Sequence, residues 1–212
     1  MPEWLKGTDC KSVDYVYGGS NPPPSTIIER NIMPSSSNNF DEVLLADLRK
    51  IQHSSLLDVG CGMGVYSEII KNVFPDETIE MHAVEPTEKY ITEYNLKEKY
   101  DVVFNETIQD FTKKVEKIYD VILCSDVLEH LYLSEAIDTI DCLTYNCRHL
   151  IMMWPTGQNQ GWYEGNYFEK HKCNISLIDL KRFDIRHYKN ELLDPPTYIP
   201  VYHYALIKGI HR

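Results

Sequence analysis

One stretch decides the fold: Leu56-Leu57-Asp58-Val59-Gly60-Cys61-Gly62-Met63-Gly64. A short apolar run containing one acid leads into three glycines at alternate positions. Because glycine has no Cβ and adopts positive φ freely, such a turn lets backbone N–H groups approach a ligand closely. The stretch predicts a buried strand that ends in a tight turn and opens a helix. Ordinary strand-to-helix turns also carry glycine, so its meaning depends on the flanking sequence.

Strand and helix patterns alternate on both sides of that stretch. Strands are predicted at 54–60, 78–84, 101–104, 119–124 and 148–154, and helices at 40–51, 65–74, 87–99 and 134–145. Thr87 is the predicted N-cap of the third helix. Alternation of this kind predicts a parallel sheet with helices on both faces. The continuous apolar runs agree, because strands buried on both faces need not alternate.

The pattern changes after Trp154. Residues 155–173 predict a long polar and aromatic loop, followed by a short helix at 175–182 and strands at 183–188 and 202–208. The two closing strands fit an antiparallel pair. The expected architecture is a three-layer α/β sandwich around a mostly parallel seven-stranded sheet with an antiparallel last strand.

Composition and charge disfavour several classes of protein. The 212 residues are 43% apolar and 25% charged, with a net charge of −11 and a pI near 5.1. Such an acidic chain disfavours a nucleic-acid partner, because phosphate binding needs clustered Lys and Arg. No apolar run approaches the roughly 20 residues that span a bilayer, and no secretory signal is visible, so a cytoplasmic protein is expected. Six cysteines without a C-x-x-C pair predict reduced thiols rather than a zinc site.

Residues 1–28 follow no helical or alternating apolar period, and Pro22–Pro24 favours an extended chain. They resemble the conceptual translation of a tRNA gene, since Gly19-Ser20-Asn21-Pro22 can be encoded by the T-arm sequence GGTTCGAATCC. We expect residues 1–33 to be an unstructured extension and Met33 to be the natural start. The alternative is a genuine N-terminal arm that closes over an active site.

Polar or glycine residues follow four consecutive predicted strands, where ligands bind in open parallel sheets. Glu85 ends the second strand about twenty residues beyond the glycines, where an acid can accept hydrogen bonds from ribose hydroxyls. A dinucleotide G-x-G-x-x-G motif would need glycine at position 65, which is Val65. No Gly-Lys-Ser/Thr follows, so the P-loop interpretation fails as well.

With these residues, the sequence resembles the class I S-adenosylmethionine-dependent methyltransferases over residues 40–155, and more loosely to the C-terminus. The resemblance implies a Rossmann-like fold, a single methyltransferase domain over residues 34–212 and S-adenosylmethionine as cofactor. Asp58 and the glycine segment Gly60–Gly64 would contact its methionine part, Glu85 its ribose, and the segment after the third strand its adenine. The implied cofactor-binding residues are Asp58, Gly60, Cys61, Gly62, Gly64, Glu85, Pro86, Thr107, Ile108 and Ser125.

Methyl transfer requires that the acceptor be oriented and lose a proton. His130 is the leading candidate for the base, because an unperturbed imidazole titrates near neutrality, and His171 is the second. Asp126, Glu129 and His130 resemble an acid-x-x-Glu-His arrangement with which ubiquinone-pathway and small-RNA O-methyltransferases hold a divalent metal. Many relatives carry Leu-Glu-His without metal, so the expected role is structural support of the turn, and no metal is expected.

The predicted function is methylation of a small-molecule or carbohydrate-like acceptor, most simply at oxygen. The loop at 155–173 is the predicted specificity element. The alternatives are an RNA-modifying methyltransferase, a nucleotide-binding oxidoreductase and a non-catalytic cofactor-binding module. The acceptor and the oligomeric state are not predicted by the sequence.

Overall fold

The computed structural model describes residues 39–157, 161, 166–192 and 201–211. The predicted extension at 1–33, the start at Met33 and the alternative N-terminal arm all lie outside these residues. None of the helices in these ranges is long and apolar enough to cross a membrane.

Seven strands of the described chain form one sheet. In chain order they are β1 Ser55–Val59, β2 Glu80–Val84, β3 Val102–Phe104, β4 Tyr119–Ser125, β5 Cys147–Thr156, β6 Asp184–Leu192 and β7 Val201–Lys208. Their spatial order is β3-β2-β1-β4-β5-β7-β6. Strands β1 to β5 pair in parallel, and β7 lies antiparallel to both β5 and β6. The predicted mostly parallel sheet with an antiparallel last strand is confirmed.

The sheet is covered on both faces, which gives the predicted three layers. Adjacent residues of β1 point to opposite sides: Leu57 packs with Ile122 in one core cluster, and Leu56 packs with Val121 in the other. The helices are α1 Asp41–Leu48, α2 Val65–Val73, α3 Glu88–Glu93, α4 Leu96–Lys99, α5 Ile108–Thr112 and α6 Leu133–Tyr145. Helices α1 and α2 cover the face of Leu56, and α6 covers the face of Leu57.

Two helix predictions need correction. The helix expected at 87–99 is divided into α3 and α4 at Asn95, whose φ of 50° lies in the left-handed region. Thr87 occupies the N-cap position of α3, but its side chain makes no capping hydrogen bond there. The helix expected at 175–182 is a series of turns, because successive N–H groups bond three residues back, as Leu180 does to Leu177. Helix α5 is not among the helices predicted from the sequence.

Candidate functional site

The glycine segment has the backbone geometry that its sequence predicts. Gly60, Gly62 and Gly64 have φ values of 66°, 51° and 73°. The N–H of Gly60 donates to the carbonyl of Val84 at 2.8 Å, which joins the ends of β1 and β2. A Cβ on Gly60 would lie 2.3 Å from Cγ2 of Val127. The turn therefore requires glycine here both for its dihedral angle and for its close packing.

Glu85 holds the glycine segment in place. Its Oε2 accepts from the N–H of Gly62 at 3.1 Å, and its Oε1 accepts from the N–H of Thr87 at 2.9 Å. The side chain amide of Asn105 donates to the carbonyl oxygen of Glu85 at 3.0 Å. Burial raises the pKa of Glu85, and the two backbone N–H donors oppose that rise. One carboxylate thus connects the ends of β1 and β2 to the start of α3.

Asp58 lies beneath this segment, only 1% exposed. The hydroxyl of Tyr100 donates to its Oδ2 at 2.5 Å. Burial raises the pKa of Asp58 to about 7, Tyr100 opposes the rise, and the charge of Glu85 adds to it. Because its carboxyl group is turned toward Tyr100, Asp58 supports the turn from below.

A cavity of about 680 Å³ opens above the carboxyl ends of the parallel strands. This volume is within the usual range for small-molecule sites. Eight of the predicted cofactor-binding residues line it: Gly60, Cys61, Gly62, Glu85, Pro86, Thr107, Ile108 and Ser125. Asp58 and Gly64 are not among the lining residues, since Asp58 faces Tyr100 and Gly64 packs against α4.

A hydrogen-bonded network that the sequence did not predict forms part of the cavity wall. The hydroxyl of Tyr202 donates to Oδ2 of Asp126 at 2.6 Å, and the hydroxyl of Ser125 donates to the same oxygen at 2.9 Å. The hydroxyl oxygens of Tyr66 and Ser125 are 3.3 Å apart. Tyr202 is 1% exposed and stacks on Phe40, and it also lines the cavity. Tyr202 and Tyr204 stand two residues apart on β7, and this spacing is the sequence signal that both side chains point to the same face of the sheet.

The two predicted base candidates lie together on the cavity wall. The rings of His130 and His171 are 4.8 Å apart and nearly perpendicular. Nε2 of His130 lies 3.9 Å from Oε1 of Glu129. One ligand atom from each of Glu129, His130 and His171 falls within 4.8 Å of the others. Asp126 is not part of this cluster, because Ser125 and Tyr202 donate to its carboxylate.

Burial controls the protonation of this cluster. Burial first, and then the charges of His171 and Lys172, lower the pKa of His130 to about 4, although backbone hydrogen bonds at Lys170 and Glu169 oppose the shift. The His130 imidazole is therefore neutral at neutral pH. Burial and the charge of Asp126 raise the pKa of Glu129 well above its usual range.

Part of the predicted specificity loop closes the cavity. Tyr90 donates to Oε1 of Glu169 at 3.0 Å, and the amide of Asn166 lies 3.4 Å from the side chain oxygens of Tyr90 and Thr87. Trp154 is fully buried and donates to the carbonyl of Ile175 at 2.9 Å, so it packs in the core. Residues 158–160 and 162–165 of the predicted loop lie outside the described part of the chain.

Comparison with known proteins agrees with this geometry. A family model described as a methyltransferase domain matches residues 36–144. Magnesium protoporphyrin IX methyltransferase from Synechocystis PCC 6803 with bound SAM is 19% identical, with 78% of this chain and 76% of that chain covered and a TM-score of 0.51. The N-methyltransferase NodS from Bradyrhizobium japonicum WM9 with S-adenosyl-L-homocysteine is 13% identical, with coverage of 81% and 85% and a TM-score of 0.59.

A third similar structure is an S-adenosylmethionine-dependent methyltransferase from Clostridium acetobutylicum ATCC 824. It is 12% identical, with 80% of this chain and 90% of that chain covered and a TM-score of 0.58. At these identities the likeness shows a shared fold. A search of curated proteins found no match.

Proposed function

The chain belongs to the methyltransferase domain family. From this premise we propose that it uses S-adenosylmethionine to methylate an oxygen atom of a small-molecule or carbohydrate-like acceptor. One observation carries the proposal. Residues from separate strand ends, each predicted to bind this cofactor, line one cavity together with both candidate bases.

The cofactor side of the cavity fits a nucleoside with a cationic sulfur. The glycine segment brings bare backbone to the cavity at Gly60 and Gly62, and Gly60 has no room for a Cβ. Each carboxylate oxygen of Glu85 accepts one backbone N–H, Oε2 from Gly62 and Oε1 from Thr87. Each oxygen has a second lone pair, so the carboxylate has room to accept from two ribose hydroxyls. Thr107 and Ile108 line the wall where the adenine would lie. When bound, S-adenosylmethionine supplies an electrophilic methyl carbon.

The acceptor side is formed by His130, His171 and the loop that closes the cavity. These residues would orient the acceptor and exclude water, which are the main demands of an in-line methyl transfer. Because the pKa of His130 is lowered to about 4, its ring is neutral at neutral pH and can accept a hydrogen bond from a hydroxyl of the acceptor. The net charge of −11 favours a small acceptor over RNA.

Calorimetry tests the cofactor assignment. We expect S-adenosylhomocysteine to bind the protein and NAD not to bind. Glu85→Gln should weaken S-adenosylhomocysteine by roughly tenfold or more, because the amide cannot accept from both backbone N–H groups and the ribose. Glu98→Gln is the matched control, since Glu98 is exposed on α4. Absence of S-adenosylhomocysteine binding would overturn the proposed function, and equal affinity in Glu85→Gln would refute the role of Glu85.

A further inference from the structure

A second cavity lies at the opposite edge of the sheet, where β5 begins. It has a volume of about 560 Å³ and lies between the end of α1 and the strands β5, β7 and β6. On β5, His149 lines this second cavity, and Pro155 lines the first cavity, that of the candidate functional site. The strand between these two residues spans about 20 Å. Among the described residues none lines both cavities, so the second cavity has no part in the proposed methyl transfer.

Basic side chains dominate the wall of the second cavity. Four parts of the chain supply them: Lys50 after α1, His149 on β5, Arg186 and His187 on β6, and Lys208 on β7. Asp47 is the acidic side chain in this wall. The whole chain has 21 lysines and arginines against 32 aspartates and glutamates, so this concentration of basic groups runs against its composition. A cleft lined by one sign of charge attracts a ligand of the other sign.

A β-bulge turns two adjacent basic side chains toward the second cavity. Neighbouring residues of a regular strand point to opposite faces of the sheet, yet Arg186 and His187 both line this cavity. The register of β6 against β7 shifts between Ile185 and His187, so Arg186 is the extra residue of the bulge. Ile185 and Tyr188 accordingly pack against the core cluster on the other face. Bulges often redirect a side chain beside a functional site, and this bulge adds an arginine to the basic wall.

Asp47 neutralises only part of the positive charge. Nδ1 of His187 lies 2.5 Å from its Oδ2, and the ammonium of Lys50 donates to its Oδ1 at 3.0 Å. Burial alone would raise the pKa of Asp47, but hydrogen bonds from His187, Lys50 and Tyr204 hold it below its ordinary value. The charge of this one carboxylate is therefore shared between two of the basic side chains, and the other basic groups of the wall are not bonded to it.

Lys208 and His149 retain unused hydrogen-bonding capacity. They stand directly opposite each other on β7 and β5. Lys208 forms no ion pair within the described part of the chain, because Asp184, its neighbour on β6, accepts from Arg186 at 2.5 Å. Nδ1 of His149 is buried and has no hydrogen-bond partner among the described residues. A buried polar atom without a partner is uncommon and needs an explanation.

From the bulge, the basic wall and these unused groups, we propose that the second cavity binds the phosphate group of a small molecule. A phosphate group has three acceptor oxygens, so it can accept from several surrounding side chains at once. A carboxylate has only two oxygens and would leave more of these donors unused. The guanidinium of Arg186 keeps N–H groups beyond the one that Asp184 accepts, and its planar fork matches phosphate. The volume of about 560 Å³ leaves room for the rest of a small molecule.

Calorimetry of the full chain with inorganic pyrophosphate tests the site. We expect saturable binding that is weakened by roughly tenfold or more in Lys208→Gln and in Arg186→Gln, because each variant loses a charged donor. Lys113→Gln is the matched control, since it removes the same charge at the end of α5, outside both cavities. Lys208→Arg keeps the charge and should keep most of the affinity. Circular dichroism checks folding, and either glutamine variant decides the matter if the other does not fold.

Three outcomes overturn the phosphate site. They are no saturable binding by the wild type, equal affinity in the two cavity variants and in Lys113→Gln, and displacement of pyrophosphate by S-adenosylhomocysteine, which would locate the anion in the first cavity. Citrate that binds as tightly as pyrophosphate would overturn the choice of phosphate. This site does not depend on the proposed function, which a separate titration with S-adenosylhomocysteine alone tests.

Discussion

Asp58 makes the stability of the fold depend on pH in a way that one variant isolates. Its pKa is about 7 in the folded protein, against an ordinary value of 3.8, because its carboxyl group is buried. The folded chain therefore holds a proton that the unfolded chain releases, and the resulting stabilisation is lost as pH rises from about 4 to about 7. Asp58→Asn can still accept from Tyr100 but cannot ionise. Between pH 5 and pH 8 the wild type should lose about 2.5 kcal/mol of unfolding free energy relative to this variant.

Urea unfolding followed by circular dichroism at half-unit pH steps measures this difference. The comparison cancels other titrating groups, because they are the same in both proteins. Tyr100→Phe extends the test, since the hydroxyl of Tyr100 holds the pKa of Asp58 down. Its removal should raise the folded pKa of Asp58 and so extend the decline in stability to higher pH, while the start of the decline near pH 4 is unchanged. Parallel profiles for the wild type and Asp58→Asn would refute the reasoning, as would a decline that moves to lower pH in Tyr100→Phe.

Two further substitutions test the local geometry. Gly60→Ala should cost about 2–4 kcal/mol of unfolding free energy, since it combines a φ of 66° with a Cβ 2.3 Å from Val127. Gly161→Ala is the control, because no atom of the described residues lies within 4 Å of its new Cβ. Equal urea midpoints for the two variants would contradict the prediction. Thr107→Ala should cost about 1 kcal/mol, because the Thr107 hydroxyl caps α5 by accepting from the N–H of Asp110 at 3.2 Å. Thr107→Ser should restore most of that loss, and a serine variant as unstable as the alanine variant would argue against the cap.

The sheet and the face that carries the cavity were predictable from local patterns. Continuous apolar runs identify strands buried on both faces, and the parallel topology then places their carboxyl ends at one edge. The positive φ angles of Gly60, Gly62 and Gly64 follow from the same stretch. These features depend on short-range rules, so a single sequence contains enough information for them.

The remaining features depend on contacts between distant segments. Asp58 faces Tyr100, forty-two residues later, and no spacing rule connects them. The same holds for His130 and His171, which meet because Glu129 accepts backbone hydrogen bonds from the segment that follows His171. At Asn95 a left-handed residue divides a segment whose composition favours one continuous helix.

The contacts that close the cavity have an evolutionary consequence. Tyr90 makes hydrogen bonds with both Asn166 and Glu169 across nearly eighty residues of sequence, so a replacement of Tyr90 removes a bond from both, and a replacement of either partner removes one from Tyr90. Leaving a partly buried donor or acceptor unsatisfied costs more than exchanging both partners for apolar groups. Among homologues these three positions should therefore change together rather than singly. An alignment deep enough to measure covariation would reveal them as one inherited unit.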